Sequence, residues 1–243
     1  MKLLTIGFLS FLALPVMATE VTSPFYLPEL GHVQSKTNGQ YTKNKRKTMP
    51  NRYQRQLAQE VTIGLGAGIA ALAAGDLNWT RQNGSFPHTK GYAAGLKGQW
   101  DIGGILTQFS TWYHQTTNVS FEARRQMEAQ VRLGKQLQKM TPYISLKGKF
   151  PMNARPEFND PVYRGDIGVF QPINDKMTLD TTLYLKYDKN IKERSFGIRG
   201  EYSYAVTSWL AFGVQGEWQA RGHAKSNTKT YHQSVGVKTT LSF

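Results

Sequence analysis

Apolar and polar residues alternate along most of this chain. At the C-terminus, Phe243, Leu241, Val237, Val235 and Tyr231 fall on one side of the alternation, and polar residues fill the other. Successive side chains of a β-strand point to opposite faces, so this period of two predicts a strand with one apolar face and one polar face. Clear alternation also predicts strands at residues 92–102, 177–188, 194–206 and 210–221, each long enough to cross a hydrocarbon layer at a tilt.

Weaker alternation predicts seven further strands, at residues 33–43, 57–65, 69–81, 105–116, 121–135, 141–150 and 163–170. One of them is ambiguous, because residues 122–139 are rich in helix formers and Met127, Val131, Gly134 and Gln138 recur at helical spacing. Alternation within the same stretch favours a strand, and so does the even total of twelve. The small-residue run at 63–75 is too short for a transmembrane helix and also fits two strands around a glycine turn.

Short and longer connections alternate between the predicted strands. The short ones are 64–68, 101–104, 136–140, 171–176 and 207–208, and the longer ones are 44–56, 82–89, 117–120, 151–162, 189–193 and 222–229. Outer-membrane barrels have an even strand number, short periplasmic turns and longer outer loops. We therefore predict an all-β fold, a single transmembrane antiparallel up-and-down β-barrel with both termini in the periplasm. The alternative is a soluble β-sandwich, but strands average only about five to six residues in globular proteins.

Aromatic residues gather near both ends of the predicted outward faces. Belts of this kind form where a membrane protein meets the lipid headgroups. The aromatic residues at the loop end are Trp79, Tyr92, Tyr113, Phe121, Phe150, Tyr163, Tyr187, Phe196, Trp218 and Tyr231, and those at the turn end are Trp100, Tyr204 and Phe243.

Residues 1–18 have the organisation of a secretory signal peptide. Lys2 precedes an apolar run of about 14 residues, and Val16-Met17-Ala18 matches the small-x-small pattern of a cleavage site, with Val16 and Ala18 as the small residues. A transmembrane anchor would need about 20 apolar residues. We expect residues 19–243 to form one barrel domain. The chain contains no cysteine, which excludes disulfides and thiolate metal sites.

The C-terminal Leu241-Ser242-Phe243, the signal peptide and the hairpins with aromatic ends resemble those of Gram-negative outer-membrane β-barrel proteins. In size and strand count the chain is similar to the small twelve-stranded porins that pass acidic oligosaccharides. The resemblance implies that the barrel-insertion machinery reads the last strand through Tyr231, Leu241 and Phe243. It also implies that outer-membrane lipid and lipopolysaccharide surround the barrel.

The chain carries a formal net charge of +14, and the predicted faces decide where this charge lies. Acidic and basic residues balance on the inward faces, which favours a narrow lumen with ion pairs across it. The predicted pore-lining residues are Lys97, Arg132, Lys147, Lys149, Arg164, Asp166, Lys186, Arg199, Glu201, Glu217 and Arg221. The excess falls in loops and strand tips, as a basic rim whose main members are Lys43, Lys45, Arg46, Lys47, Arg52, Arg55, Lys189 and Lys192.

A basic rim attracts anions over roughly a Debye length. Lipopolysaccharide phosphates are the nearest anions, and small acidic solutes are the other candidates. The cationic run at 43–47 is too short to indicate nucleic-acid binding.

No catalytic motif is present in the sequence. His114 and His232 face inward near the rim, and Glu122 could orient His114, but Ser110 lies about 13 Å down the strand. The methionines and carboxylates have no metal-site spacing, so we expect no metal and no cofactor. An outer-membrane hydrolase is therefore the weakest of the functional alternatives.

The sequence favours a passive porin-like channel for small solutes with a basic extracellular rim. The alternative is a closed barrel whose basic outer loops bind lipopolysaccharide or another surface ligand. If a loop folds inward as a constriction, the Pro-rich stretch at 151–162 is the best candidate.

Overall fold

Twelve antiparallel strands close into a barrel in the computed structural model, which describes residues 22–46, 51–81, 88–118, 123–152, 160–189, 192–223 and 226–243. Each strand pairs with its neighbours in sequence, and the first pairs with the last. This architecture confirms the predicted fold class. The strands are β1 (Val33–Arg46), β2 (Arg52–Gly66), β3 (Ile69–Arg81), β4 (His88–Ile102), β5 (Ile105–Asn118), β6 (Ala123–Gly134), β7 (Thr141–Pro151), β8 (Val162–Pro172), β9 (Met177–Asp188), β10 (Glu193–Ala205), β11 (Leu210–His223) and β12 (Ser226–Ser242).

The ladder between β1 and β12 closes the barrel. It runs without interruption from the pair Gln34 and Ser242 to the pair Arg46 and Thr230. Beyond it, the amide of Val33 donates to the carbonyl oxygen of Phe243 at 2.6 Å, and the amide of Phe243 donates to that of Val33 at 2.9 Å. The terminal aromatic is thus part of the seam.

The exterior of the barrel is apolar and the interior is polar. Leu146, Ile167 and Leu185 are 70%, 67% and 66% exposed on the outside, whereas Glu128 and Thr182 are buried inside. This distribution is the reverse of a water-soluble protein and suits a barrel surrounded by lipid. Among the described residues, no helix is long and apolar enough to span a membrane.

Aromatic side chains pack against one another on the exterior. Phe150 and Tyr163 meet edge to face with ring centroids 6.3 Å apart, and Trp218 and Tyr231 stack at 6.2 Å. These pairs lie toward the predicted loop end of their strands. Phe121, which we predicted for the same belt, lies outside the described residues.

The two ends of the barrel have different connections. The turn end carries the connections 67–68, 103–104, 135–140, 173–176 and 206–209, and the loop end carries the remaining six. Gly103 and Gly104 have φ values of 63° and 81°, a left-handed conformation that glycine adopts without steric cost and that tight hairpins require.

Two predicted loops are mostly strand. β1 continues to Arg46 and β2 begins at Arg52, so the predicted loop 44–56 is too long, and β11 and β12 shorten the predicted loop 222–229 in the same way. These strand ends are rich in polar residues, so hydrophobic alternation does not mark them, although the backbone ladder continues. The ambiguous stretch 122–139 contains strand β6, so the strand prediction is confirmed and the helical alternative is wrong.

We expect Ile167→Arg to destabilise the barrel by about 2–4 kcal/mol, because it puts a charge at mid-height on the lipid face. Ile173→Arg, in the exposed turn after β8, is the control, and we expect it to cost about 0–1 kcal/mol because water solvates the charge there. Urea unfolding in lipid vesicles measures both costs. Equal costs would contradict the lipid-facing position of Ile167.

Candidate functional site: the barrel lumen

Residues 22–31 fold into the turn end of the lumen, and we call this segment the plug. The ring of Phe25 is 3% exposed and packs in a cluster with Tyr143 and Phe170. It meets Tyr143 edge-on, with ring centroids 5.9 Å apart. The guanidinium of Arg132 lies over both rings, at 5.7 Å from Phe25 and 5.4 Å from Tyr143. The plug is therefore anchored by an aromatic cluster in the lumen.

Polar contacts tie the backbone of the plug to two strands of the wall. The Nη1 atom of Arg132 donates to the carbonyl oxygen of Pro24 at 2.5 Å, and the Nζ atom of Lys97 donates to that of Tyr26 at 2.8 Å. Two lumen cations thus bind neutral carbonyl oxygens of the plug.

Side-chain hydroxyls add contacts to two more strands. The Tyr26 hydroxyl lies 3.0 Å from the Ser242 Oγ atom, and the Thr22 Oγ1 atom lies 3.0 Å from that of Thr178. The plug therefore contacts β4, β6, β9 and β12, which surround the lumen.

Glycines in the wall leave room for the plug. A Cβ atom at Gly134 would lie 2.4 Å from the Phe25 ring, and one at Gly64 would lie 1.8 Å from the carbonyl oxygen of Glu29. The plug then joins the sheet, because the amide of Gly31 donates to the carbonyl oxygen of Gly64 at 3.0 Å. Glycine at these positions permits the close approach.

A cavity of about 510 Å³ lies in the lumen, and Thr22, Ser23 and Pro24 of the plug form part of its lining. Its β2–β4 wall carries the small side chains Ala58, Ala74 and Ala93, which leave space. On the β7–β9 side, Tyr143 is buried and Arg164 stacks on the Tyr184 ring at 3.9 Å. Residues of β7 and β9 still border the cavity, which strands surround on nearly all sides of the lumen.

Charged side chains line this cavity, and cations exceed anions by two. In the part of the chain that the structure describes, seven Lys or Arg residues and five Asp or Glu residues take part. The cations are Lys36, Lys97, Arg132, Lys147, Lys149, Arg199 and Lys238, and the anions are Glu60, Asp76, Glu128, Asp180 and Glu201.

Glu128 holds the most crowded group of charges. Its side chain is buried and lies 2.6 Å from the Nζ atom of Lys147 and 3.1 Å from that of Lys149. The Nε2 atom of His114 is 3.8 Å away. Glu128 is therefore the carboxylate beside His114, whereas Glu122, which we predicted for that role, lies outside the described residues.

Other charged side chains of the inner wall form smaller ion-pair groups. Arg164 pairs with Asp166 at 2.6 Å, Lys238 pairs with Glu201, and Arg221 lies 3.7 Å from Glu193. The Tyr184 hydroxyl also donates to Glu217. These contacts link side chains of the inner wall within one strand and between strands.

Strand register places all the predicted pore-lining residues on the inner face. Those that line the cavity are Lys97, Arg132, Lys147, Lys149, Arg199 and Glu201, and those that lie elsewhere on the inner face are Arg164, Asp166, Lys186, Glu217 and Arg221. Their part in solute selection stays a prediction. Sequence reasoning missed Lys36, because β1 alternates only weakly between apolar and polar residues.

The predicted basic rim is divided between the two faces. Lys43, Lys45 and Arg55 lie on the exterior, and Lys189 and Lys192 are exposed in the connection from β9 to β10. Arg52 stands opposite Asn44 on the inner face, at the loop-end tip of β2, and its part in the basic rim stays a prediction. The Arg46 side chain, Lys47, the signal peptide at 1–18 and residues 153–159 of the predicted constriction lie outside the described set.

Within the described ranges, no group of three or more His, Asp or Glu side chains could hold a metal ion. His232 contacts Asn44 at 2.7 Å and Arg221 at 3.3 Å, a polar network of the inner wall.

Comparison with known proteins identifies the fold. No family model and no curated protein matches the sequence. An outer membrane channel from Pseudomonas putida F1 is similar in structure, with a TM-score of 0.69, 9% identity, and coverage of 91% of this chain and 98% of that one. The fold is that of the outer-membrane β-barrels.

Two further solved structures share this architecture. The NanC porin has a TM-score of 0.55, 15% identity, and coverage of 84% of this chain and 98% of that one. The β domain of the Bordetella autotransporter BrkA has a TM-score of 0.55, 9% identity, and coverage of 88% and 99%. Because this outer-membrane barrel fold serves both channels and autotransporters, function has to be argued from the lumen.

We expect Phe25→Ala to release the plug while the barrel stays folded, because burial of a large apolar side chain contributes about 1.5–3 kcal/mol. Gly134→Ala should have the same effect, since its Cβ atom would meet the Phe25 ring. Gly165→Ala is the control, because its nearest contact, Leu146 Cδ2, is 3.7 Å away. Hydrogen exchange of residues 22–31 should accelerate about ten- to hundredfold in the first two variants. Unchanged protection in both would contradict the account.

Proposed function

We propose that this protein is a passive channel for small solutes in the outer membrane of a Gram-negative bacterium. The observation that carries the proposal is the charged cavity of about 510 Å³ inside the barrel. A barrel of eight strands is filled by side chains, whereas barrels of 16–18 strands enclose an open channel. Twelve strands lie between these sizes, and the small side chains of β2–β4 that border the cavity support usable space in the lumen.

The channel prefers anions. Cations exceed anions by two along the cavity, and a low-dielectric wall strengthens the resulting field inside a narrow lumen. The exposed lysines of the loop end, Lys189 and Lys192, add positive charge at the mouth. Small anionic solutes are therefore the transported class.

The turn end faces the periplasm and the loop end faces the outside. Residues 1–18 act as the export signal, and the last strand, with Tyr231, Leu241 and Phe243 on its outward face, is recognised by the insertion machinery. The basic rim contacts lipopolysaccharide phosphates. The plug closes the periplasmic side and moves aside when solute passes.

A closed barrel that binds lipopolysaccharide through its basic rim is the second candidate. The tight packing of Phe25 against Tyr143 and Phe170 favours it, because this cluster fills the turn end. Planar-bilayer recording of folded protein separates the two functions. Discrete single-channel steps support the channel, and their absence would reject it in favour of the closed barrel.

A disulfide that fastens the plug should lower the conductance. The Oγ1 atoms of Thr22 and Thr178 are 3.0 Å apart, and the natural chain has no cysteine, so Thr22→Cys with Thr178→Cys gives a single bridge. We expect conductance to be lower in the oxidised protein and to return on reduction. The natural chain with and without reductant is the control. Equal conductance in both redox states would contradict a moving plug.

Glu128→Gln should increase anion preference, because it frees the charges of Lys147 and Lys149 and raises the excess of cations along the cavity. The reversal potential in a KCl gradient should shift toward the chloride value. Glu193→Gln is the control, since Glu193 pairs with Arg221 away from the cavity. A shift of the same size in both variants, or toward potassium in Glu128→Gln, would contradict the proposed role of the cavity.

A further inference from the structure

Three cations beside the plug lack a bonded counter-charge. Lys36, Lys97 and Arg132 all line the cavity, and they are close enough to repel one another electrostatically. Glu60 stands opposite Lys36 in the β1–β2 ladder, but no ion pair within 4 Å joins any of the three to a carboxylate among the described residues. Glu201 and Asp180 also attract Lys36 and Arg132, but Lys238 and Arg199 share these carboxylates. Counting these five cations and three carboxylates leaves an excess of two positive charges.

The hydrogen bonds that Lys97 and Arg132 donate also reach no full negative charge. Lys97 and Arg132 donate to the carbonyl oxygens of Tyr26 and Pro24, and Arg132 also donates to the amide oxygen of Gln108 at 3.1 Å. The Nε atom of Arg132 is buried and has no hydrogen-bond partner. Buried charges are normally paired with a full opposite charge, and a neutral carbonyl supplies only a partial one.

We propose that Lys36, Lys97 and Arg132 form a binding site for the oxyanion group of a small solute, a carboxylate or a phosphate. The site rests on the proposed channel function and gives it a ligand class. An oxyanion accepts charge-assisted hydrogen bonds from ammonium and guanidinium groups, which are about twice as strong as neutral ones. It thus supplies the charge that the group lacks.

Oxyanion binding also weakens the plug. The ligand competes with the carbonyl oxygens of Pro24 and Tyr26 for the same N–H groups of Arg132 and Lys97. A bound anion therefore removes two of the contacts that tie residues 22–31 to the wall. In this way the transported class of solute favours its own passage.

Calorimetric titration of the folded full-length protein with inorganic phosphate and with acetate tests the site. We expect binding of at least one of the two, and a loss of at least about tenfold in affinity for Lys36→Gln, because a hydrogen bond to a charged group contributes about 1.5–3 kcal/mol. Lys176→Gln is the control, because Lys176 is exposed in the turn after β8 and does not line the cavity. Its affinity should stay within about twofold of the natural protein.

Each outcome of the titration decides the proposal. If phosphate alone binds, the ligand class is a phosphate, and if acetate binds, it is a carboxylate. Binding of neither probe, or equal losses in Lys36→Gln and Lys176→Gln, would overturn the site. Single-channel steps without anion binding would reject the oxyanion site and retain the proposed channel function. Anion binding without single-channel steps would reject the channel function and retain the oxyanion site.

Hydrogen exchange of residues 22–31 tests the coupling to the plug. Exchange should accelerate when the bound probe is present in the natural protein and should respond much less in Lys36→Gln. Unchanged exchange at a saturating probe concentration would overturn the competition with Pro24 and Tyr26.

Discussion

Closure of the sheet by β1 and β12 is the constraint on which the rest of the structure depends. Lipid offers no hydrogen-bond partner to an exposed strand edge, so both edges must pair with each other. The ladder from Gln34 to Arg46, extended by the mutual bonds of Val33 and Phe243, meets this requirement along the full height of the wall. Closure also fixes the register, and a shift of one residue would turn every apolar side chain inward.

This register gives the barrel a lumen that is charged and only partly filled. Tyr143, Tyr184 and Arg164 fill part of the β7–β9 side, and alanine and glycine leave space beside β2–β4. The plug then covers the turn end with Phe25. The function we propose follows from these features together, since neither an empty lumen nor a filled one could select among small anions.

Strands, register and inward charges were predictable because each follows from local alternation with a period of two. Lys147, Arg199 and Glu201 could be placed inside from sequence for this reason. The plug could not be predicted from the sequence, because residues 22–31 show no hydrophobic periodicity. The contacts of the plug also join residues far apart in sequence, such as Tyr26 with Ser242 and Pro24 with Arg132.

The cavity escaped prediction for a related physical reason. The small residues around 63–75 indicated a turn, but their effect on internal space depends on which side chains stand across the lumen. The strand ends of β1, β2, β11 and β12 at the loop end were not predicted, because alternation fades outside the apolar band. Lys36 was missed because β1 alternates only weakly between apolar and polar residues.

Cysteine labelling of neighbouring alanines in lipid vesicles tests the central claim most directly. Ala93 lines the cavity, and Ala94 faces the exterior of the same strand. A small charged thiol reagent, added from outside, should label Ala93→Cys in the otherwise cysteine-free chain and leave Ala94→Cys unlabelled. Labelling of Ala94→Cys, or failure to label Ala93→Cys in folded protein, would contradict a lipid-embedded barrel with a water-accessible lumen.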